Sequence, residues 1–159
     1  MREILKILES DSRLSHEEIA TMTGTPVDEV RRTIEECEKK GIIRRYKTVI
    51  DWEKVGEERI FAFIDVSVSP ERGVGFDDIA ERIYRYPEVH SVYLVSGTHD
   101  LRVVVSGDHM KQVAFFVAEK LATLDRVQGT TTHFLLKTYK EDGDIFETPE
   151  PDRRLAVSP

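Results

Sequence analysis

The residues from Ser15 to Tyr46 restrict this chain more than any other stretch. Ser15 followed three positions later by Glu18 is a capping box, so a helix starts near His16. Ile19, Ala20 and Met22 give that helix an apolar side, and Gly24 ends it, because glycine takes the left-handed conformation a helix C-terminus favours. Thr25 is placed to cap a second helix, Pro26 suits its first turn, and Asp28 meets the positive end of its dipole. Val27, Val30, Ile34 and Cys37 recur at helical spacing and predict one buried stripe. Gly41 stops this helix, and Ile42 to Lys47 is expected to form a strand.

Helix, glycine turn and helix, with Arg31 and Arg32 turned outward, is the outline of a helix-turn-helix, a motif that sets its second helix in the DNA major groove. The expected DNA-facing residues are Thr25, Asp28, Arg31 and Arg32 on the reading helix. Arg44, Arg45 and Lys47 would hold phosphates from a basic wing. A small helical hairpin with a solvated arginine face accounts for the same pattern.

Around this stretch the chain divides into a head, a hinge, a second domain and a tail. Arg2 to Glu9 predicts a first helix, with Ile4, Leu5 and Leu8 inward, which completes a three-helix head over residues 1–50. Residues 51–58 are polar, contain Gly56 and show no period, as a hinge does, with Trp52 packing at the junction. Arg59 to Val68 reads as a strand apolar on both faces, with Ile60, Ala62, Ile64, Val66 and Val68 on one and Phe61 and Phe63 on the other. Pro70, Gly73 and Gly75 break the chain, and Phe76, Ile79, Ala80, Ile83 and Tyr84 then repeat at helical spacing. Val89 to Ser96, a Gly97-Thr98-His99-Asp100 turn and Leu101 to Ser106 predict a hairpin. Asp108 is expected to cap a helix running to Leu124, and Val127 to Tyr139 a last strand.

The order β-α-β-β-α-β over residues 59–140 is the ferredoxin-like split unit, four antiparallel strands with two helices on one face. The fold class is therefore α+β, a winged helix-turn-helix followed by a ferredoxin-like domain. Phe61, Phe63 and Val104 are too apolar to leave the bare face of that sheet in water, which predicts a homodimer formed sheet against sheet. Residues 141–159, acidic and then proline-rich, read as a poorly ordered tail.

With 23 Lys and Arg against 30 Asp and Glu, the net charge of -7 argues against a generic nucleic-acid binder, because phosphate contacts supply most non-specific affinity. The first fifty residues hold ten of each sign, so the excess acid lies outside the head. Glu29, Glu35 and Glu36 on the reading helix still oppose a polyanion, so several heads would have to act together, or binding would fall steeply with salt. The one cysteine, Cys37, sits on a buried stripe and has no internal partner for a disulfide. No run is long enough to cross a membrane and no secretion leader opens the chain, so a cytoplasmic location is expected.

Taken together, these segments resemble the Lrp/AsnC, or feast/famine, family. In the head the resemblance rests on the run Leu8-Glu9-Ser10-Asp11-Ser12-Arg13-Leu14-Ser15, on Glu18-Ile19-Ala20, and on Val30-Arg31-Arg32-Thr33-Ile34 and Gly41-Ile42-Ile43-Arg44-Arg45-Tyr46. In the second domain it rests on Val95-Ser96-Gly97-Thr98-His99-Asp100-Leu101 and on Thr130-Thr131-Thr132. The resemblance implies a transcription regulator that binds double-stranded DNA as a dimer, with further assembly to tetramers or octamers. The second domain would be ACT-like (the RAM domain) and would sense an amino acid between subunits, with no other cofactor. Backbone groups of Ser96, Gly97 and Thr98 would hold the effector carboxylate, Asp100 its ammonium, and Thr130 and Thr132 would add hydroxyls from a neighbouring subunit; His99, inside the turn, would tune ligand choice or simply face solvent. A hairpin turn by itself also accounts for Gly97 and Asp100. The chain departs from the family pattern at Asp125-Arg126, where a Pro-Gly is common, and in its longer tail.

An enzyme on this fold, of the siroheme decarboxylase type, is the rival from another class. The dense His/Tyr/Arg motif it calls for is missing, and His16, His90, His99, His109 and His133 show no metal spacing. His90 and His133 are expected to face each other across the sheet. A second rival is an amino-acid sensor whose head has lost DNA.

Overall fold

The computed structural model of the protein describes residues 1–57, 59–69 and 75–146. The chain forms two compact units, residues 1–50 and residues 51–159. The expected break at Pro70 and Gly73, residue 58 of the hinge and the tail beyond residue 146 lie outside the described residues.

The first unit holds α1 (Arg2–Ser10), α2 (His16–Thr23) and α3 (Val27–Lys39). The capping box forms as the spacing requires: Ser15 Oγ accepts from the Glu18 amide at 3.2 Å, and the Ser15 amide donates to Glu18 Oε2 at 2.8 Å. Gly24 closes α2 at φ +64°, a left-handed conformation that costs glycine nothing. Thr25 does not cap α3. That place falls to Pro26, whose carbonyl accepts from the Glu29 and Val30 amides at 2.9 and 3.1 Å, and no side chain caps the helix. Ile4, Ile19, Ala20, Val30 and Ile34 form the core of the unit, with Leu8, Leu14 and Ile43 packed against it. Cys37 is buried.

Residues 42–47 are not a strand. A strand needs a partner for its amides and carbonyls, and within the first unit this segment has none. Instead the Ile42 and Ile43 amides both donate to the Cys37 carbonyl, at 2.8 and 3.2 Å, folding the chain back over the end of α3.

In the second unit the hinge sequence makes a single helical turn, α4 (Trp52–Val55), capped by Asp51. The Arg59 guanidinium lies 4.7 Å from the Trp52 ring. Then come β1 (Ile60–Val68), α5 (Asp77–Tyr84), β2 (Val89–Leu94), β3 (Leu101–Gly107), α6 (Met110–Phe115), a π-helical continuation over Phe116–Leu121, and β4 (Val127–Phe134). The helix after β3 is capped by His109 and not by Asp108. His109 Nδ1 accepts from the Gln112 amide at 3.0 Å, while Gln112 Oε1 accepts from the Asp108 amide at 2.7 Å. It ends at Leu121, short of Leu124.

The sheet is antiparallel in the order β2-β3-β1-β4, the ferredoxin-like arrangement. Ala62, Ile64, Val66 and Val68 of β1 and Leu101, Val103 and Val105 of β3 pack under Ile79 and Ile83 of α5 and under Val113, Phe116, Val117 and Leu121. The opposite face, on which neither helix of this unit packs, is bare among the described residues of the unit. Beyond β4, residues 140–145 make a small hairpin, β5 (Lys140–Glu141) and β6 (Asp144–Ile145), which takes in the first residues of the tail expected from residue 141.

Arg126 explains how the chain manages without the Pro-Gly at this turn. Its backbone sits at φ +77°, a region that favours glycine. Its side chain reaches three acceptors around the turn: the Ser69 carbonyl at 3.1 Å, Asp78 Oδ1 at 2.7 Å and the Gly75 carbonyl at 2.6 Å. These charge-assisted bonds offset a backbone cost of about 1–3 kcal/mol.

Ser15→Ala removes one half of the capping box. It is expected to lower unfolding free energy by about 1 kcal/mol, read by chemical denaturation, without changing the fold.

Candidate functional site

On the first unit, burial of Val30, Ile34 and Cys37 turns the Arg31 and Arg32 side of α3 to solvent. Arg31 Nη1 lies 3.5 Å from Asp28 Oδ1, with the two side chains 50% and 85% exposed, an ion pair too weak and too solvated to hold the guanidinium from a phosphate. Arg32 Nε donates to the Asp28 carbonyl at 3.3 Å. Arg44, Arg45 and Lys47 are exposed, and Thr25 is half-buried. The basic segment is fixed without being a strand: Ile43 packs on the core of the head and Tyr46 Oη donates to Glu38 Oε1 at 2.8 Å. The acidic residues are partly answered locally, with Glu36 paired to Lys40 at 3.1 Å.

On the second unit, the turn between β2 and β3 is pinned at its base. The Val95 amide donates to the Asp100 carbonyl at 2.9 Å, the Asp100 amide to the Val66 carbonyl at 3.1 Å, and Asp100 Oδ2 accepts from the Val68 amide at 2.8 Å. Gly97 stands at φ +137° with nothing within 4 Å of where a Cβ would be, so the backbone and not space demands glycine. Ser96, Gly97 and Thr98 are exposed, and among the described residues the amides from Ser96 to His99 make no backbone hydrogen bond. A pinned turn with unspent amides is suited to an anion.

Beside the turn lies an open cleft of about 650 Å³, lined by Ser96, Thr98 and His99 of the turn, by Leu94 and Val95, and by Asp65 and Arg102 on the bare face of the sheet. Asp65 is 5% exposed, the one buried charged residue among those described. Arg102 lies opposite it in the β1–β3 register and closes a two-pronged bond, Nε to Oδ1 at 2.8 Å and Nη2 to Oδ2 at 3.0 Å. His133 Nε2 approaches Asp65 Oδ2 at 3.3 Å, and His99 Nδ1 lies 3.1 Å from Ser67 Oγ. The hydrogen bond from Arg102 holds the Asp65 carboxyl below the usual carboxylate range, with its burial opposing and the charges of Arg102, His99 and His133 adding.

The structure thus gathers Ser96, Thr98 and His99 on one cleft, with Gly97 in the same turn and Asp100 as its strut. Thr130 and Thr132, expected to act from a neighbouring subunit, lie away from the cleft of their own chain. They pair with Val66 and Ile64 and so share the helix-covered face, while Thr131 pairs with Asp65 on the bare face. Nor do His90 and His133 face each other: β2 and β4 are opposite edges of the sheet, and His90 Nε2 lies 2.6 Å from Ser106 Oγ. Sequence reading missed Asp65 and Arg102. The signal was present in the alternation Phe61, Phe63, Asp65, which puts a carboxylate on the same face as two aromatic rings.

No cluster of His, Cys, Asp and Glu suited to a metal ion occurs among the described residues, and no helix among them is long and apolar enough to cross a membrane.

A helix-turn-helix head joined to a ferredoxin-like domain with a polar turn-side cleft defines a class, the DNA-binding regulator with an appended ligand domain. Residues 1–44 match the winged helix-turn-helix DNA-binding profile, and residues 61–145 match that of the Lrp/AsnC ligand binding domain. The HTH-type transcriptional regulator YugG of Bacillus subtilis is 56% identical over 158 residues, covering 99% of this chain and 95% of its own. A transcriptional regulator of Neisseria meningitidis, solved in complex with L-Met, superposes with a TM-score of 0.70 at 27% identity, over 87% of this chain and 89% of its own. A feast or famine regulatory protein of Mycobacterium tuberculosis, complexed with L-methionine, gives 0.71 at 26% identity, over 89% and 92%. The chain belongs to the Lrp/AsnC family of HTH-type transcription regulators.

The lowered Asp65 pKa sets the sign of one pH effect. Its contribution to stability is complete above the unfolded carboxylate value of about 3.9 and is lost as pH falls through the lower folded value. Unfolding midpoints followed from pH 7 downward are expected to drop more steeply in this acid range for the native chain than for Asp65→Asn, with the two curves converging at the acid end.

Proposed function

We propose that this regulator binds double-stranded DNA as a homodimer, with α3 of each head in successive major grooves about 34 Å apart, and that a small amino acid held at the 95–100 turn shifts its assembly. The observation that carries the first part is the pairing of an outward Arg31-Arg32 helix with an exposed Arg44, Arg45 and Lys47 segment in the same unit. Arg32, almost opposite the buried stripe, would meet base edges. Thr25 and Asp28 flank it at the start of the helix, and the basic segment would meet phosphate. A net charge of -7 makes one head inadequate, and two heads on one duplex supply the missing affinity by raising the local concentration of the second.

The dimer reading is supported by the bare sheet face, where Phe61, Phe63 and Val104 stand together and a second copy would cover them. Tetramers or octamers would then place the turn clefts of adjacent dimers at their contacts. The effector reading rests on the unspent amides of the turn and on the neighbours that were solved with L-Met or L-methionine. In this reading the turn amides take the carboxylate, the Ser96 and Thr98 hydroxyls flank it, and Asp100 Oδ1, outside the bond to Val68, receives the ammonium. An effector changes regulation only by binding one assembly better than another.

A gel-shift series with the DNA upstream of the protein's own gene tests the first part. Arg32→Ala is expected to cost about 1–3 kcal/mol of binding, on the order of tenfold or more in Kd. Its unfolding free energy should change by no more than about 0.5 kcal/mol. Unchanged affinity would move the DNA-reading surface off α3.

A further inference from the structure

We infer that the effector of this cleft carries a second anionic group, as a dicarboxylic α-amino acid does, and that Arg102 is the residue that selects it. This rests on the reading of the turn as an amino-acid site. The turn supplies groups for an α-carboxylate and an α-ammonium, which every amino acid has. Discrimination must come from the rest of the cleft, and there the apolar wall is short, Leu94 and Val95 alone.

Three observations give the remaining wall a sign. Arg102 spends Nε and Nη2 on Asp65, so its planar fork is held in one orientation before any ligand arrives. The same side chain is 49% exposed beside the cleft, and a guanidinium has five donors, so Nη1 remains for an incoming acceptor. Asp65, by contrast, is closed to a cationic ligand: its side chain is 8% exposed, and both oxygens already lie against Arg102 or His133. Apart from the Asp100 carboxylate already assigned to the α-ammonium, the described lining of the cleft therefore offers a positioned cation and no free anion. His99 on the same wall adds a ring nitrogen, Nε2, while Nδ1 is held at Ser67 Oγ. A thioether or branched aliphatic side chain placed here would bury the Arg102 donors without an acceptor, a loss that a carboxylate avoids.

The test is thermal shift and calorimetry on the full chain with L-glutamate, L-aspartate, L-glutamine, L-methionine, L-leucine and L-lysine, at pH 7.5 and up to 10 mM. Glutamate or aspartate is expected to raise the unfolding midpoint and to bind at least tenfold tighter than glutamine, methionine or leucine. Lysine should give no shift. The double variant Asp65→Asn/Arg102→Gln, which leaves no buried lone charge, should bring glutamate down to the affinity of glutamine. Methionine or leucine binding more tightly than either acid would overturn the anionic selectivity and leave the amino-acid site standing. Silence from all six would overturn the site itself and this inference with it. The comparison of glutamate with glutamine on the native chain decides the point even if the double variant does not fold.

Discussion

A four-stranded sheet covered on one face only is the constraint on which the rest of this structure depends. On the covered face the β-branched side chains of β1 and β3 are sealed by two helices, and that packing holds the second unit together. On the bare face the same strands carry Phe61, Phe63 and Val104 at one end and Asp65 and Arg102 nearer the turn, with His133 of β4 opposite Phe63. Those aromatic side chains call for a cover that the described residues of this unit do not provide. The bidentate pair meets a different need. A carboxylate only 5% exposed would be costly unpaired, and Arg102 removes that cost while fixing the direction of its remaining donors. One face thus carries both the apolar patch proposed to meet a second subunit and one wall of the turn-side cleft. Under that proposal, coupling between ligand and assembly has a common physical origin.

The head works by a simpler logic. Its core is small, and much of its order comes from caps and turns: the reciprocal Ser15–Glu18 box, the left-handed Gly24, and the double use of the Cys37 carbonyl that folds residues 42 and 43 over the end of α3. These local devices set the orientation of α3, and a buried stripe of Val30, Ile34 and Cys37 fixes which residues face outward. The head is neutral overall, so net charge would not make it a DNA reader. Arg31, Arg32, Arg44 and Arg45 lie exposed on α3 and on the segment after it, while Glu36 is engaged with Lys40 and Glu38 with the Tyr46 hydroxyl.

Much of this was legible in the amino-acid sequence, and what was not shares one cause. Helices α1 to α3, the hairpin of β2 and β3 and the order of the split unit follow from periods and caps that reach only a few residues. The wing failed as a strand because a strand exists only with a partner, which no local pattern reports. Capping went to Pro26 and His109, each one residue from the expected Thr25 and Asp108. At the second of these, the Gln112 amide donates to His109 Nδ1 while the Gln112 side chain takes the Asp108 amide. The faces of Thr130 and Thr132 depend on register, and the β1–β4 ladder has an irregularity at Ser67 and Val68. Asp65 and Arg102 are 37 positions apart and become a pair only when β1 and β3 align. The turn residues could be named because the family resemblance pointed to them, and the walls of the cleft could not because they come from the sheet.

The central claim is that the bare sheet face brings two heads onto one duplex, and molecular mass in solution tests it most directly. Sedimentation velocity of the full chain at micromolar concentration and moderate salt should give a species of at least twice the 18.3 kDa chain mass, with Phe63→Glu shifting it to a monomer. A native chain that sediments as a single 18.3 kDa species under those conditions would contradict the account.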